Sequence, residues 1–439
     1  VGTNEWDLIG APVSGQSINS FVTANTSTLA TNGATKAIGY YNNTDNTWTN
    51  YTTSTIVGAG NFPLGKGFQM ATNANGTGIL SFTGAPTATN QTWTIIDNDA
   101  ANSGAGTRWN LVANPFPSYI YGNANADSSH NFLTVNSDKL NDSYEAIYGY
   151  DADGSGYTVY NNTSAALRLA PGQAFMVASD NAENDTISFT TAMRTTTGGD
   201  DLIVGRDPID SFELVLKLYE GDSEIDHTKF YFGDGLSLNL DPGYDAGHFN
   251  QGASLMSRLV EEDEGVGLVI NAMGLESVND VVAPLELNIE AGNNFRISIG
   301  TFNIDTAINV YLEDNVQETM TLLNDQDFEL TAENELSGVG RFFIHLTETV
   351  LSIDDKIETN YLNVFKADVN NFITVEGLAN QSNGTKLRLY TIRGKEVIFT
   401  TLNNTNNKQI ISTQGLSPGI YIVKLESGNI LLTKKLFIK

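Results

Sequence analysis

AIYGYDADGSGYTVY, residues 146–160, decides how the first half of the chain is read, because AIGYYNNTDNTWTNY, residues 37–51, aligns with it without a gap. In the later copy Ile147, Tyr148 and Tyr150 precede a run of small and polar residues, and Tyr157, Val159 and Tyr160 follow it, the pattern of a β-hairpin with a Gly-containing turn. Further matches flank the pair in the same order: WDLIGAP (6–12) with WNLVANP (109–115), GKGFQMAT (65–72) with GQAFMVAS (172–179), and ILSFTG (79–84) with ISFTTA (187–192). Shared order separates an internal repeat from chance. The expectation is two tandem β domains, residues 1–103 and 104–200, of sandwich or jelly-roll-like architecture.

The remainder agrees with an all-β chain. Of 439 residues 41 are Gly and only 17% are charged, and Thr and Asn recur throughout, a composition suited to short strands and turns. This length allows about three or four domains. RTTTGGDD (194–201) reads as a linker, and from residue 207 apolar-alternating runs such as FELVLKLYEGD, HTKFYFGDG and LELNIEAGNNFRISIG predict a β-sandwich spacer over 207–350. SLMSRLVEEDEG (254–265) fits a short helical turn or a loop. More short strand patterns fill 351–439. The fold expected is four tandem β-sandwich or jelly-roll-like domains.

Charge divides the chain sharply. Residues 351–439 carry 11 Lys and Arg against 7 Asp and Glu, net +4, whereas residues 1–350 carry 12 against 44, net −32. An acidic body repels phosphate backbones, so no nucleic-acid partner is expected. Without cysteine there is neither a disulfide, nor a thiolate site, nor a Cys nucleophile. No apolar run reaches the length of a membrane-spanning helix. The opening VGTNEW reads as a mature or trimmed start, with an upstream part expected.

LRLYTIRGKEV (387–397), LSPGIYIVKL (416–425) and the terminal KKLFIK resemble the type A C-terminal sorting domain of proteins exported by the type IX secretion system of Bacteroidota. Leu389, Tyr390, Gly394, Lys395, Val397, Leu416, Gly419, Tyr421, Lys435, Leu436 and Ile438 carry the resemblance. The family's usual Asn-Pro opening is absent; Glu358 to Leu362 stand in its place. The resemblance implies an Ig-like sandwich read by the outer-membrane translocon and its shuttle β-barrel. It also implies removal by a sortase-like protease with attachment to surface lipopolysaccharide, and a cell-surface or extracellular destination. The 207–350 region, through Asp241 to Ala246 and Tyr311 to Asp314, is similar to modules that precede such tails. The duplicated Trp-x-Leu and Asn-Pro elements resemble repeats of large surface proteins of these bacteria.

Candidate sites follow from the hairpins. Asp151, Asp153 and Ser155 form a short acidic loop that suits calcium if carbonyls or water complete its shell, but the first copy places Asn42 and Thr44 opposite the two carboxylates, which favours a plain turn. Trp48, Tyr51, Tyr157 and Tyr160 offer faces for stacking on glycans, against the alternative of core and cross-strand packing. Thr186 and Thr306 sit in Asp-Thr-aliphatic tripeptides that resemble O-glycosylation acceptors. Gly415 to Gly419 matches Gly-x-Ser-x-Gly but lies before a strand rather than a helix, so it is not read as a nucleophile elbow. His130, His227, His248 and His345 are scattered without metal-ligand spacing. No cofactor other than calcium and no catalysis are expected; the upstream domains read as adhesin-like or structural cargo, with accessory glycan-binding modules of an upstream enzyme as the alternative.

Overall fold

The computed structural model describes residues 6–73, 78–99, 107–151, 156–181, 184–198, 212–249, 252–304, 307–348, 362–366, 372–381, 384–391, 393–428 and 430–438. The chain forms two compact units, residues 1–209 with 242–249, and residues 210–241 with 250–439. The fold is all-β, with several sheets and two short α-helices among the described residues.

In the first unit, β1 (Trp6–Gly10), β2 (Thr35–Asn42), β3 (Thr47–Thr52) and β4 (Gly67–Ala71) run in the order β3-β2-β4-β1. After β5 (Gln91–Ile95) the pattern returns: β6 (Trp109–Ala113), β7 (Ile147–Asp151), β8 (Gly156–Tyr160) and β9 (Ala174–Ala178) run β8-β7-β9-β6. Register follows the sequence alignment residue for residue. Tyr41 lies opposite Trp48 and Asn42 opposite Thr47, as Tyr150 lies opposite Tyr157 and Asp151 opposite Gly156. Gly39 faces Gln69 as Tyr148 faces Met176, and Trp6 faces Ala71 as Trp109 faces Ala178. A one-residue slip would turn every side chain to the other face, so equal register means equal cores.

A second set of equivalences lies off the sheets. Ser17 caps α1 (Ile18–Ala24) by accepting from the Ser20 N–H, and Asn131 caps α2 (Phe132–Asn136) by accepting from the Thr134 N–H. At the helix ends Asn25 donates to the Ser81 carbonyl and accepts from the Ser81 N–H, and Asn136 does both with Ser188. Phe82 then stacks on Phe21, and Phe189 tilts against Phe132. By these contacts the last sequence match is one residue out of step, with Ser81 and Phe82 standing where Ser188 and Phe189 do. Its strand character also differs, because Asp185–Phe189 forms β10 and pairs with β5, whereas 79–83 forms no strand. Ile95 of β5 joins the core of Val112, Phe175 and Ile187, so packing does not follow a boundary at residue 103.

The aligned stretches meet reciprocally. Ile9 bridges Gln173 and Lys66 bridges Val112, and in the alignment Ile9 matches Val112 while Lys66 matches Gln173. The Gly10 N–H donates to the Gly172 carbonyl at 2.7 Å, and the Ala113 N–H donates to the Gly65 carbonyl at 2.9 Å. This is the self-complementary pattern of a two-fold interface, made within one chain. Gly10 is required by the approach itself: a Cβ there would fall 2.3 Å from the Ala113 Cβ.

The first unit is completed by residues 242–249 rather than leaving them to the 207–350 region. The Phe249 ring packs on Trp109 at 4.4 Å and on Tyr157 at 4.2 Å, and Tyr148 donates its hydroxyl hydrogen to the Gly247 carbonyl. Asn161 donates to the Tyr244 carbonyl, and the Asn162 N–H donates to that of Gly243. Burial among these rings pushes both the Tyr157 and the Tyr148 phenols well up.

In the second unit, ten strands share one sheet: β11 (Phe212–Glu220), β12 (Ser223–Gly233), β13 (Ser254–Ser257), β14 (Leu268–Gly274), β15 (Asp280–Asn288), β16 (Asn294–Asn303), β17 (Asn309–Asp314), β18 (Thr319–Leu322), β19 (Phe328–Thr331) and β20 (Phe342–Thr347). Their order is β18-β17-β20-β15-β13-β14-β12-β11-β16-β19, with β12 and β14 parallel. Leu214, Leu216 and Leu218 of β11 and Phe230 and Phe232 of β12 alternate into a core with Leu285, Phe295 and Ile344. The 254–265 stretch is a strand followed by a loop, not a helical turn, because Leu255 and Met256 enter the sheet and Arg258 is drawn inward by charges described below.

Candidate sorting surface and its anchorage

The C-terminal region is a two-sheet sandwich. One sheet, order β21-β22-β25, comprises β21 (Asn363–Phe365), β22 (Phe372–Glu376) and β25 (Lys408–Ser412). The other, order β24-β23-β26-β27, comprises β23 (Thr385–Thr391), β24 (Glu396–Leu402), β26 (Gly419–Ser427) and β27 (Ile430–Ile438). Val364, Ile373, Val375, Leu387, Leu389, Tyr421, Val423, Leu425, Leu436 and Ile438 form the core between them.

The sequence motif divides by side-chain direction. Leu389, Tyr421, Leu436 and Ile438 are core residues, and Val397 and Leu416 pack against that core. Tyr421 also donates its hydroxyl hydrogen to the Ser417 carbonyl at 2.8 Å, which ties the Gly415 to Gly419 segment to the sandwich. Gly394, at φ +81°, closes the β23–β24 turn in a conformation that favours glycine, and Gly419 begins β26. Tyr390, Lys395 and Lys435 are the outward members.

Register assembles an open face around them. Tyr390 lies opposite Ile422, which lies opposite Lys435; Arg388 lies opposite both Phe399 and Lys424; Lys386 lies opposite Glu426. Arg388 sits 4.4 Å from the Phe399 ring centroid while holding Glu396 at 2.8 Å. Setting like charges opposite each other, as Arg388 and Lys424 are, costs stability. Phe399, Ile420 and Leu431 stay exposed, so this face mixes cations with apolar side chains.

The opposite sheet is covered on β21 and at the Thr374 and Glu376 end of β22, while Phe372 and, on β25, Ile410 stay exposed. Glu376, fully buried, accepts from Arg258 at 3.1 Å and is approached by Lys408 at 2.9 Å. Arg258, only 1% exposed, also holds Asp263 at 2.8 Å and Glu286 at 2.9 Å. Asn363 donates to the carboxylate and the carbonyl of Asp263, each at 3.1 Å, and the Lys434 ammonium donates to the same carbonyl at 2.7 Å. The Arg258 guanidinium lies 5.6 Å from the Phe365 ring. Desolvation pulls the Lys434 amine down while Asp263, Glu264 and Glu262 resist. Lys434 and Lys435, adjacent in sequence, point to opposite faces, as period-two alternation demands.

The hairpin candidates fare unevenly. Asp151 ends β7 opposite Gly156, while Asp153 and Ser155 lie outside the described residues. Among the described residues no cluster of three or more His, Cys, Asp or Glu side chains could hold a metal. Tyr51 packs against the first core, Tyr160 against the second, and Tyr157 under Phe249; Trp48 is 38% exposed beside Tyr41. The four aromatics thus form no shared platform. Thr186 is exposed on β10, and Thr306 lies outside the described residues. His345 is buried on β20 with Nε2 2.8 Å from Glu313. No helix among the described residues is long and apolar enough to cross a membrane.

Residues 367–439 match the family described as the secretion system C-terminal sorting domain. The chain is therefore a type IX secretion cargo of the Bacteroidota kind, exported through the outer membrane to the cell surface or the extracellular space. Residues 1–345 match a domain of unknown function, DUF8693, and the chain belongs to that family. No curated protein matches it.

Proposed function

We propose that the sorting domain is read through its open four-stranded sheet, and that residues 1–345 form a non-catalytic, adhesin-like or structural passenger displayed at the surface. The observation that carries the first part is the division of the sandwich: the preceding region holds Asn363 and Glu376 of the three-stranded sheet, whereas the four-stranded sheet presents Tyr390, Lys395 and Lys435 beside exposed Phe399, Ile420 and Leu431. Cations beside apolar groups suit docking on a large acidic partner such as the translocon. The equal registers and reciprocal bridges support a duplicated, rigid passenger. Its first-copy hairpin, with Trp48 exposed, is then the displayed contact, since Phe249 covers its counterpart.

The test is export in a Bacteroidota host carrying Lys395→Glu and Lys435→Glu together. Periplasmic retention with an unchanged melting curve is the expected outcome. Normal export of the folded variant would refute a reading through this face.

A further inference from the structure

We infer that the region before residue 349 is a receptor for the sorting domain, and that the two remain bound after the chain between residues 348 and 362 is cut. The interface is built on charge complementarity. Arg258, Asp263 and Glu286 come from the preceding region, net −1, and Glu376, Lys408 and Lys434 from the sorting domain, net +1. The contacts cross from one side to the other: Arg258 to Glu376, Asn363 to Asp263, Lys434 to the Asp263 carbonyl.

Arg258 and Glu376 are as buried as core side chains, so separation would strand Arg258 without its partner across the interface. Shape adds to charge. A Cβ on Gly265 would fall 2.0 Å from the Phe365 ring, so that ring lies directly on the loop backbone. Asn407 of the sorting domain donates to the Val339 carbonyl at a second point. The contacts named here join residues 258–339 to residues 363–434 directly.

The test uses the full chain with a specific protease sequence introduced between residues 348 and 362. After complete cleavage, gel filtration should return both fragments in one peak at physiological salt. In the cut protein, Arg258→Met and separately Glu376→Gln should each weaken association at least about tenfold. A second measurement guards against misfolding: each uncut variant should keep the cooperative melting of the second unit, to which both residues belong. Separate elution of the cut fragments overturns the inference, whether or not the small fragment stays folded. Co-elution unaffected by either substitution overturns the assignment to this charge cluster. The export test of the open sheet has an independent outcome.

Discussion

Gly10→Ala tests the reciprocal junction of the first unit. The added Cβ would lie 2.3 Å from the Ala113 Cβ and 2.8 Å from the Lys66 carbonyl oxygen. Carbon atoms prefer about 3.5–4.0 Å, so more than about one ångström of separation has to be found. The bonds from Gly10 to Gly172 and from Ala113 to Gly65 hold both strands in place, and the obstructing atoms belong to backbone and Cβ rather than to a flexible side-chain end. Overpacking costs about 1–3 kcal/mol, here toward the upper end, and the stiffer unfolded chain returns about 0.4–1 kcal/mol. A net loss of about 2 kcal/mol lowers Tm by about 4–8 °C for a cooperative unit of roughly 200 residues.

The pseudo-two-fold relation sharpens this. Position 113 aligns with position 10, so Gly10→Ala with Ala113→Gly exchanges the two sides of the contact. The pair should recover most of the lost stability, a coupling above about 1 kcal/mol in a double-mutant cycle. Thermal unfolding of all four proteins, followed by near-ultraviolet circular dichroism, reads it out. No loss in the single variant, or additive losses in the pair, would refute the reciprocal packing.

Phe249→Ala removes the ring over Trp109, Tyr148 and Tyr157 and should cost about 3–5 kcal/mol in the first unit, seen as an earlier urea midpoint. The Glu145 carboxyl is pushed up to about 7, by burial first and by Asp142 second. Native protein therefore binds the extra proton, so this stabilisation is complete below the unfolded pKa near 4.5 and is lost as pH rises through about 7. Stability of the first unit should fall by at most about 3 kcal/mol between pH 5 and 8, less with solvent screening, and Glu145→Gln should flatten that slope. Glu313→Ala leaves His345 buried without its carboxylate and should cost about 3–5 kcal/mol, measured by chemical denaturation of the second unit.

Local pattern carried much of the fold. The hairpin at 37–51 and its counterpart at 146–160 were legible because alternation and a polar turn lie within fifteen residues of one another. The one-residue error at 79–84 arose because Ile79, which copied the apolar start of ISFTTA, is exposed, while the element that aligns the copies is the Asn25–Ser81 amide clamp, 56 residues apart in sequence. Tyr51, Tyr157 and Tyr160 looked like candidate platforms because alternation gives a face but not what covers it. The buried ion cluster left no signal at all. Arg258 sits in an acidic, solvent-like string, and its partner Glu376 is 118 residues away. In the sorting domain, Lys435 was legible and Lys434 was not, since a motif records residue type and only the strand register assigns a direction.

The eight residues that finish the first unit are written into the gene after the second unit has begun. A gene divided at residue 210 would yield an N-terminal product lacking the Phe249 ring and the Gly247 carbonyl that Tyr148 needs. Recombination could not trade either unit as a simple cassette without exposing aromatic surface in the recipient. The family match over residues 1–345 takes in both segments of the first unit.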